Sequence, residues 1–145
     1  MEYSENVNVR RNWEVCTRGA AATRWASMYA SINKYGDIVI NRVAHERLGK
    51  PDACQLLYDR ERETIGLKPS RAARDNEAFP IRDRGRAGGL RIRANRLLRE
   101  FGITLLETRV FNRCQLDNRG VLILDLRFSQ PLARRIKRPT SLQSY

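Results

Sequence analysis

Arginine is the residue type in this chain whose number and spacing point most clearly to a chemical role. Between Arg71 and Arg99 there are nine arginines and only three acidic residues. A guanidinium group presents its donors in a planar fork, which suits bidentate contacts to phosphate oxygens and to guanine. The stretch therefore predicts a surface for a polyanion, with nucleic acid as the first candidate and an anionic membrane surface as the second.

The whole chain shares this bias. Its 145 residues include 28 Lys and Arg and 16 Asp and Glu, a formal net charge of +12, and only four of the cations are Lys. A GC-rich genome could explain the preference for Arg over Lys, but it would not explain the excess of positive charge. The charge argues against an acidic tail protein or a neutral metabolite-binding module, and a hydrophobic content of 41% is enough for a modest core.

Other residues that could carry catalysis or bind a metal have plainer interpretations. The three cysteines are Cys16, Cys54 and Cys114. Their odd number and wide spacing fit neither a disulfide framework nor a zinc site, and a single histidine, His45, cannot form a cluster. Glu61 and Glu63 could hold magnesium in a nuclease, but they flank Arg62 in a predicted turn, where exposed acids are common. We predict a protein that is not an enzyme and has no cofactor or metal.

The sequence also bears on location. No apolar run approaches the ~18 residues of a membrane span, and the stretch from Met1 to Arg11 is polar and mixed in charge, unlike a signal peptide. We therefore expect a cytoplasmic, nucleoid-associated protein with no membrane partner.

The elements that would position the arginines begin near Met28. Alternating residues predict a strand at 29–33, a turn at Gly36 and a second strand with Ile38 and Ile40 on one face. Asn41 is a candidate N-cap for a short helix that ends at Gly49, and a strand, a polar turn and a further strand closed by Pro69 follow.

The same order returns after Gly88, where Leu90 and Ile92 match the earlier isoleucines in spacing. Arg91 and Arg93 share the opposite face of that strand. Arg96 and Arg99 lie three residues apart on the polar face of a following helix. The predicted organisation is an N-terminal extension at 1–27, a first unit at 28–70, a basic connector at 71–87, a second unit at 88–130 and a basic tail at 131–145. Within the connector, Phe79 and Ile81 could anchor a short strand.

Two stretches of the first unit resemble the AbrB/SpoVT/MazE-like swapped-hairpin family. One runs from Lys34 through the turn glycine and the strand to Leu48-Gly49, and the other is the strand–turn–strand that ends in Leu67-Lys68-Pro69. The resemblance covers residues 32–69, and 88–126 is similar to a degenerate second copy. It implies an α+β, mainly β fold in which two ββαββ swapped-hairpin-like units form a small β-barrel with extended N- and C-terminal arms. Two chains usually supply these units; here one chain could supply both.

The resemblance further implies DNA binding by basic residues near the hairpin and on the helix. Carried over by position, these are Lys34, Arg42 and Arg47 in the first copy and Arg86, Arg91, Arg93, Arg96 and Arg99 in the second. Charge density adds Arg82, Arg84, Arg134, Arg135, Lys137 and Arg138 to the expected nucleic-acid-binding residues. Asp37 stands where the family usually has a basic residue, so we expect the second copy and the connector to supply most of the cationic contacts.

Three classes of function remain open on the sequence alone. The first is a double-stranded-DNA-binding transcription regulator or antitoxin-like factor, for which DNA is favoured over RNA. The second is an accessory RNA- or DNA-binding subunit of a larger nucleoprotein complex of defence or mobile-element type, and the third is a small nuclease. A homodimer or other protein partners are compatible with the first two.

Overall fold

The structure of the chain, a computed structural model, describes residues 7–15 and 27–132. The described elements are two α-helices, two short 3-10 helices and eleven strands. In chain order they are β1 (Tyr29–Ile32), β2 (Asp37–Ile40), α1 (Arg42–Arg47), β3 (Ala53–Asp59), β4 (Thr64–Ser70), β5 (Phe79–Pro80), β6 (Arg82–Asp83), a 3-10 helix (Gly85–Ala87), β7 (Leu90–Arg93), α2 (Asn95–Phe101), β8 (Arg109–Asn112), β9 (Gln115–Leu116), β10 (Leu122–Asp125), a 3-10 helix (Leu126–Phe128) and β11 (Gln130–Pro131).

The strands form two antiparallel sheets. The six-stranded sheet has the order β11-β8-β1-β2-β7-β6, and the five-stranded sheet has the order β5-β3-β4-β10-β9. The predicted α+β, mainly β class is therefore confirmed. The described strands form two open sheets rather than the closed barrel that we expected, and a physical reason is visible at the edges. All four edge strands are only two residues long, too short to carry a ladder on to another strand.

The hydrophobic core is built by the alternation that the sequence predicts. Ile38 and Ile40 on β2, and Leu90 and Ile92 on β7, are buried, and each faces its counterpart across the β2–β7 ladder. Burying a side chain of this size stabilises the fold by about 1.5–3 kcal/mol. The core cluster also includes Leu97 and Leu98 of α2, so this ladder and the helix that follows it belong to one core.

Asn41 caps α1 as predicted. Its Oδ1 accepts from the backbone N of Ala44 at 2.9 Å, and its Nδ2 donates to the carbonyl of Ser27 at 3.0 Å. The helix ends before Gly49, whose φ of +92° breaks the helical path. Helices α1 and α2 have six and seven residues, and no helix in the described part of the chain is long and apolar enough to cross a membrane.

Two parts of the chain differ from the sequence prediction. The connector at 71–87, in which the sequence predicts at most one short strand anchored by Phe79 and Ile81, contains both β5 and β6, which extend the two sheets by pairing with β3 and β7. Strand β4 does not stop before Pro69 but continues to Ser70. Proline is tolerated there because β10 pairs with β4 only at 64–67, so no ladder on that side needs the missing N–H.

The turn before β2 contacts the start of α2, and the turn before β7 contacts the backbone just before α1. The Gly36 carbonyl accepts from the backbone N of Ala94 at 2.8 Å, and a Cβ at Gly36 would lie 2.7 Å from the Cα of Asn95. A Cβ at Gly89 would lie 2.7 Å from the Ile40 carbonyl oxygen, directly before the cap of α1. Both positions therefore require glycine for space as well as for their positive φ.

Substituting Gly36→Ala and Gly49→Ala separates these two requirements. The φ values are nearly equal, +90° and +92°, but the space around Gly49 is open. We expect Gly49→Ala to lose about 1–2 kcal/mol because of the left-handed backbone. Gly36→Ala should lose at least about 1 kcal/mol more because the backbone of α2 must move. Urea unfolding measures both, and equal losses would contradict the close approach.

Candidate nucleic-acid interface

Strand β7 places two arginines on the outer face of the six-stranded sheet. Leu90 and Ile92 point into the core, so Arg91 and Arg93 point away from it; Arg91 is half-buried and Arg93 is exposed. On the neighbouring strand, Val39 lies opposite Arg91, and Asp37 lies opposite Arg93. The predicted orientation of both arginines is confirmed.

Strand β6 adds a third arginine beside them. Arg82 pairs directly with Arg91 in the β6–β7 ladder. Within the described residues, Arg82, Arg91 and Arg93 form no ion pair. Together with Pro80 and Asp83 they line a surface pocket of about 530 Å³. Two like charges directly opposite one another on a sheet repel, so this pocket concentrates positive potential that a bound anion would relieve. We call Arg82, Arg91 and Arg93 the arginine triplet.

Asp83 is the acidic residue of this pocket, and its ion pair with Arg42 links β6 to α1. Its Oδ2 accepts from Nη2 of Arg42 at 3.1 Å, and its Oδ1 accepts from the backbone N of Gly85 at 2.7 Å. The Gly85 hydrogen bond first, and Arg42 second, lower the pKa of the Asp83 carboxyl below its usual range. Asp83 is therefore ionised at neutral pH, and it neutralises Arg42, one of the residues predicted to bind nucleic acid.

The remaining predicted cations lie in turns and on the two helices. Lys34 is exposed in the β1–β2 turn, and an Asn95 Nδ2 hydrogen bond to the Tyr35 carbonyl (3.0 Å) holds that turn beside the start of α2, which carries Arg96. Arg99 is exposed farther along α2. The structure places Arg84 and Arg86 in the exposed β6–β7 turn, and places Arg42 and Arg47 at the two ends of α1. Arg134, Arg135, Lys137 and Arg138 lie outside the described residues.

Charge density predicts Arg82 as a nucleic-acid-binding residue, but only its pairing with Arg91 places it beside Arg91 and Arg93. The sequence prediction does not include Asp83. A usable signal was its position two residues before Gly85, since aspartate often accepts a hydrogen bond from the backbone two residues on.

The cysteines and the acidic β3–β4 turn have ordinary structural surroundings. Burial raises the pKa of the Cys54 thiol to about 12, and that of Cys114 to about 11, so both are protonated at neutral pH. The carboxylate of Asp59 accepts from the backbone N of Glu61 and of Arg62, which organises the acidic turn. No group of three or more His, Cys, Asp or Glu that could hold a metal occurs among the described residues.

Comparison of the chain with protein-family models, with curated proteins and with solved structures finds no match.

The repulsion between Arg82 and Arg91 is measurable without any ligand. We expect Arg82→Thr to stabilise the protein at low ionic strength by a few tenths of a kcal/mol, because it removes a like-charge cross-strand pair. The gain should vanish near 1 M NaCl, where the screening length is about 3 Å. Arg84→Thr, which removes the same charge outside the ladder, is the control. Equal effects of both substitutions in urea unfolding at each salt concentration would argue against a specific repulsion.

Proposed function

We propose that this protein binds nucleic acid without catalysing a reaction on it, and that double-stranded DNA is its preferred ligand. The observation that carries the proposal is the arginine triplet, three guanidinium groups that converge on one exposed pocket with no ion pair among the described residues. A transcription regulator or an antitoxin-like factor is the role that fits this ligand.

The geometry of the triplet suits a row of phosphates. Residues two apart on a strand are separated by about 7 Å, the separation of Arg91 and Arg93. One strand of a duplex advances about 3.4 Å along the axis per phosphate and also winds around that axis. Neighbouring phosphates are therefore farther apart than the axial rise, and the two side chains suit two neighbouring phosphates. Arg84 and Arg86 on one side, and Lys34 and Arg96 on the other, extend the positive surface beyond the triplet.

The pairing between the halves supports the finer fold that the family resemblance implies. In one sheet β1 and β2 of the first half are followed by β7 and β6 of the second, and in the other β3 and β4 are followed by β10 and β9. The equivalent strands β2 and β7 lie side by side, centred on the pair Val39–Arg91. We infer that the chain carries two ββαββ units of the swapped-hairpin type and supplies both itself.

The double substitution Arg91→Ala/Arg93→Ala tests the proposed interface. Each phosphate contact on duplex DNA contributes about 0.9 to the slope of log affinity against log salt. We expect weaker binding at moderate salt and a slope shallower by about 1.8, with the fold retained because both side chains point away from the core. Fluorescence anisotropy over a salt series on a DNA duplex and on the matching RNA duplex gives both quantities.

Arg74→Ala/Arg119→Ala is the matched control, because it removes the same charge at exposed positions outside the arginine triplet. An equal loss in the control would mean that net charge alone drives binding. An unchanged slope in Arg91→Ala/Arg93→Ala would exclude the interface. Preference for RNA, or no binding until a protein partner is added, would favour the accessory subunit of a nucleoprotein complex.

Asp83 should limit the contribution of Arg42. We expect Arg42→Ala alone to change affinity less than about twofold, because Asp83 already neutralises that guanidinium group. Asp83→Asn keeps an acceptor for the Gly85 N–H but removes the charge, so affinity should rise and the salt slope should steepen by about 0.9, one phosphate contact.

The double variant Asp83→Asn/Arg42→Ala completes this cycle. It should lose most of the affinity gained by Asp83→Asn, and the salt slope should return to the wild-type value. If Arg42→Ala weakens binding equally in both backgrounds, then the Arg42–Asp83 pair does not control the contact.

A further inference from the structure

We propose that a second pocket, beside Tyr35, binds the base of an unpaired nucleotide. Tyr35, Leu106, Leu132, Asn33, Glu107 and Thr108 line this pocket with Lys34, and its volume is about 380 Å³. We call it the tyrosine pocket. The inference rests on the proposed function and deepens it, since it makes the preferred ligand a duplex that carries an unpaired base.

The tyrosine ring is an exposed stacking surface on a fixed backbone. The Tyr35 residue is 64% exposed. The Lys34 ammonium lies over one face of its ring, so a base would stack on the opposite face. Asn33 Oδ1 accepts from the backbone N of Tyr35 and of Asp37, each at 3.0 Å, while Asn95 holds the Tyr35 carbonyl from α2. Because the turn is held from both sides, stacking a base on the ring requires little further ordering of the protein.

The apolar part of the tyrosine pocket is open to solvent. Leu106 is 90% exposed and Leu132 is 54% exposed, and both border the same pocket as Tyr35. Three large apolar side chains exposed together form the kind of patch that a ligand covers. A nucleobase suits it because the flat face of the base is apolar while its edge is polar.

Polar groups for the base edge and for the phosphate line the same tyrosine pocket. A Glu107 carboxylate can accept from an exocyclic amino group, as acidic residues do from cytosine; it also lies 3.6 Å from Nη1 of Arg109. Asn33 and Thr108 supply further side-chain hydrogen-bonding groups at the rim. The Lys34 ammonium lies 5.2 Å from the centroid of the Tyr35 ring, where it can neutralise the phosphate of a stacked nucleotide.

The tyrosine pocket continues the positive surface. Arg93 pairs with Asp37, two residues beyond Tyr35, so the turn lies at the same end of the β2–β7 ladder as Arg93. A backbone that follows Arg91 and Arg93 therefore reaches Lys34 and the pocket next. A base inside a duplex is stacked and cannot enter, whereas a bulged or single-stranded base can.

Two probes test the proposal with the full chain. One is a DNA duplex with a single bulged 2-aminopurine, and the other is the same duplex fully paired; RNA versions of both identify the preferred backbone. We expect the bulged probe to bind at least about fivefold more tightly than the paired one, the lower limit for stacking of one base. Binding should also quench 2-aminopurine fluorescence.

Tyr35→Ala should remove the preference and the quenching but leave affinity for the paired probe unchanged. Tyr35→Phe keeps the ring and should keep both effects, which would assign them to the ring and not to the hydroxyl group. Phe128→Ala removes a ring that is 78% exposed and does not line the tyrosine pocket, so it should change neither probe.

The outcomes separate this inference from the proposed function. Salt-dependent binding of both probes with equal affinity, or an equal loss on both for Tyr35→Ala, would overturn the tyrosine pocket alone. If the wild-type protein binds neither probe, the proposed function itself fails.

Discussion

The ladder between β2 and β7 is the interaction on which the rest of the structure depends. One face of it supplies Ile38, Ile40, Leu90 and Ile92 to the core, and the other face presents the arginines. Since side chains alternate strictly along a strand, the register that buries the isoleucines also fixes where the guanidinium groups point. A slip of one residue would turn the apolar set to solvent and the charged set inward, so the core enforces the geometry of the surface.

This coupling explains how the fold tolerates concentrated positive charge. A like-charged pair across two strands costs at most about 1 kcal/mol, whereas each buried aliphatic side chain beneath it stabilises by about 1.5–3 kcal/mol. Core packing therefore outweighs the repulsion between Arg82 and Arg91. The surface retains unfavourable electrostatic energy in the free protein, which a ligand phosphate would lower.

Much of the scaffold could be predicted from local patterns. The alternation at 38–40 and 90–93, the Asn41 cap and the polar face of α2 depend on neighbouring residues, and the structure confirms each one. What the sequence could not reveal depends on contacts between distant residues. Phe79 and Ile81 indicate a short strand near β5, but β6 has only two residues, too few for a periodic signal, and it forms because β7 offers it an edge. The arginine triplet and the Asp83–Arg42 ion pair follow from that pairing.

Because both halves belong to one chain, the surface that they form can distinguish the two orientations of a ligand. Where two identical chains associate about a two-fold axis, their shared surface is symmetric, so it presents the same residues to a ligand in either of two opposite orientations. Here the two halves differ in charge: residues 28–70 contain seven cations and six acids, while 71–130 contain thirteen arginines and seven acids. A ligand bound to such a surface would therefore have one preferred orientation. Because the halves are covalently joined, their association is independent of protein concentration, so this preference persists on dilution.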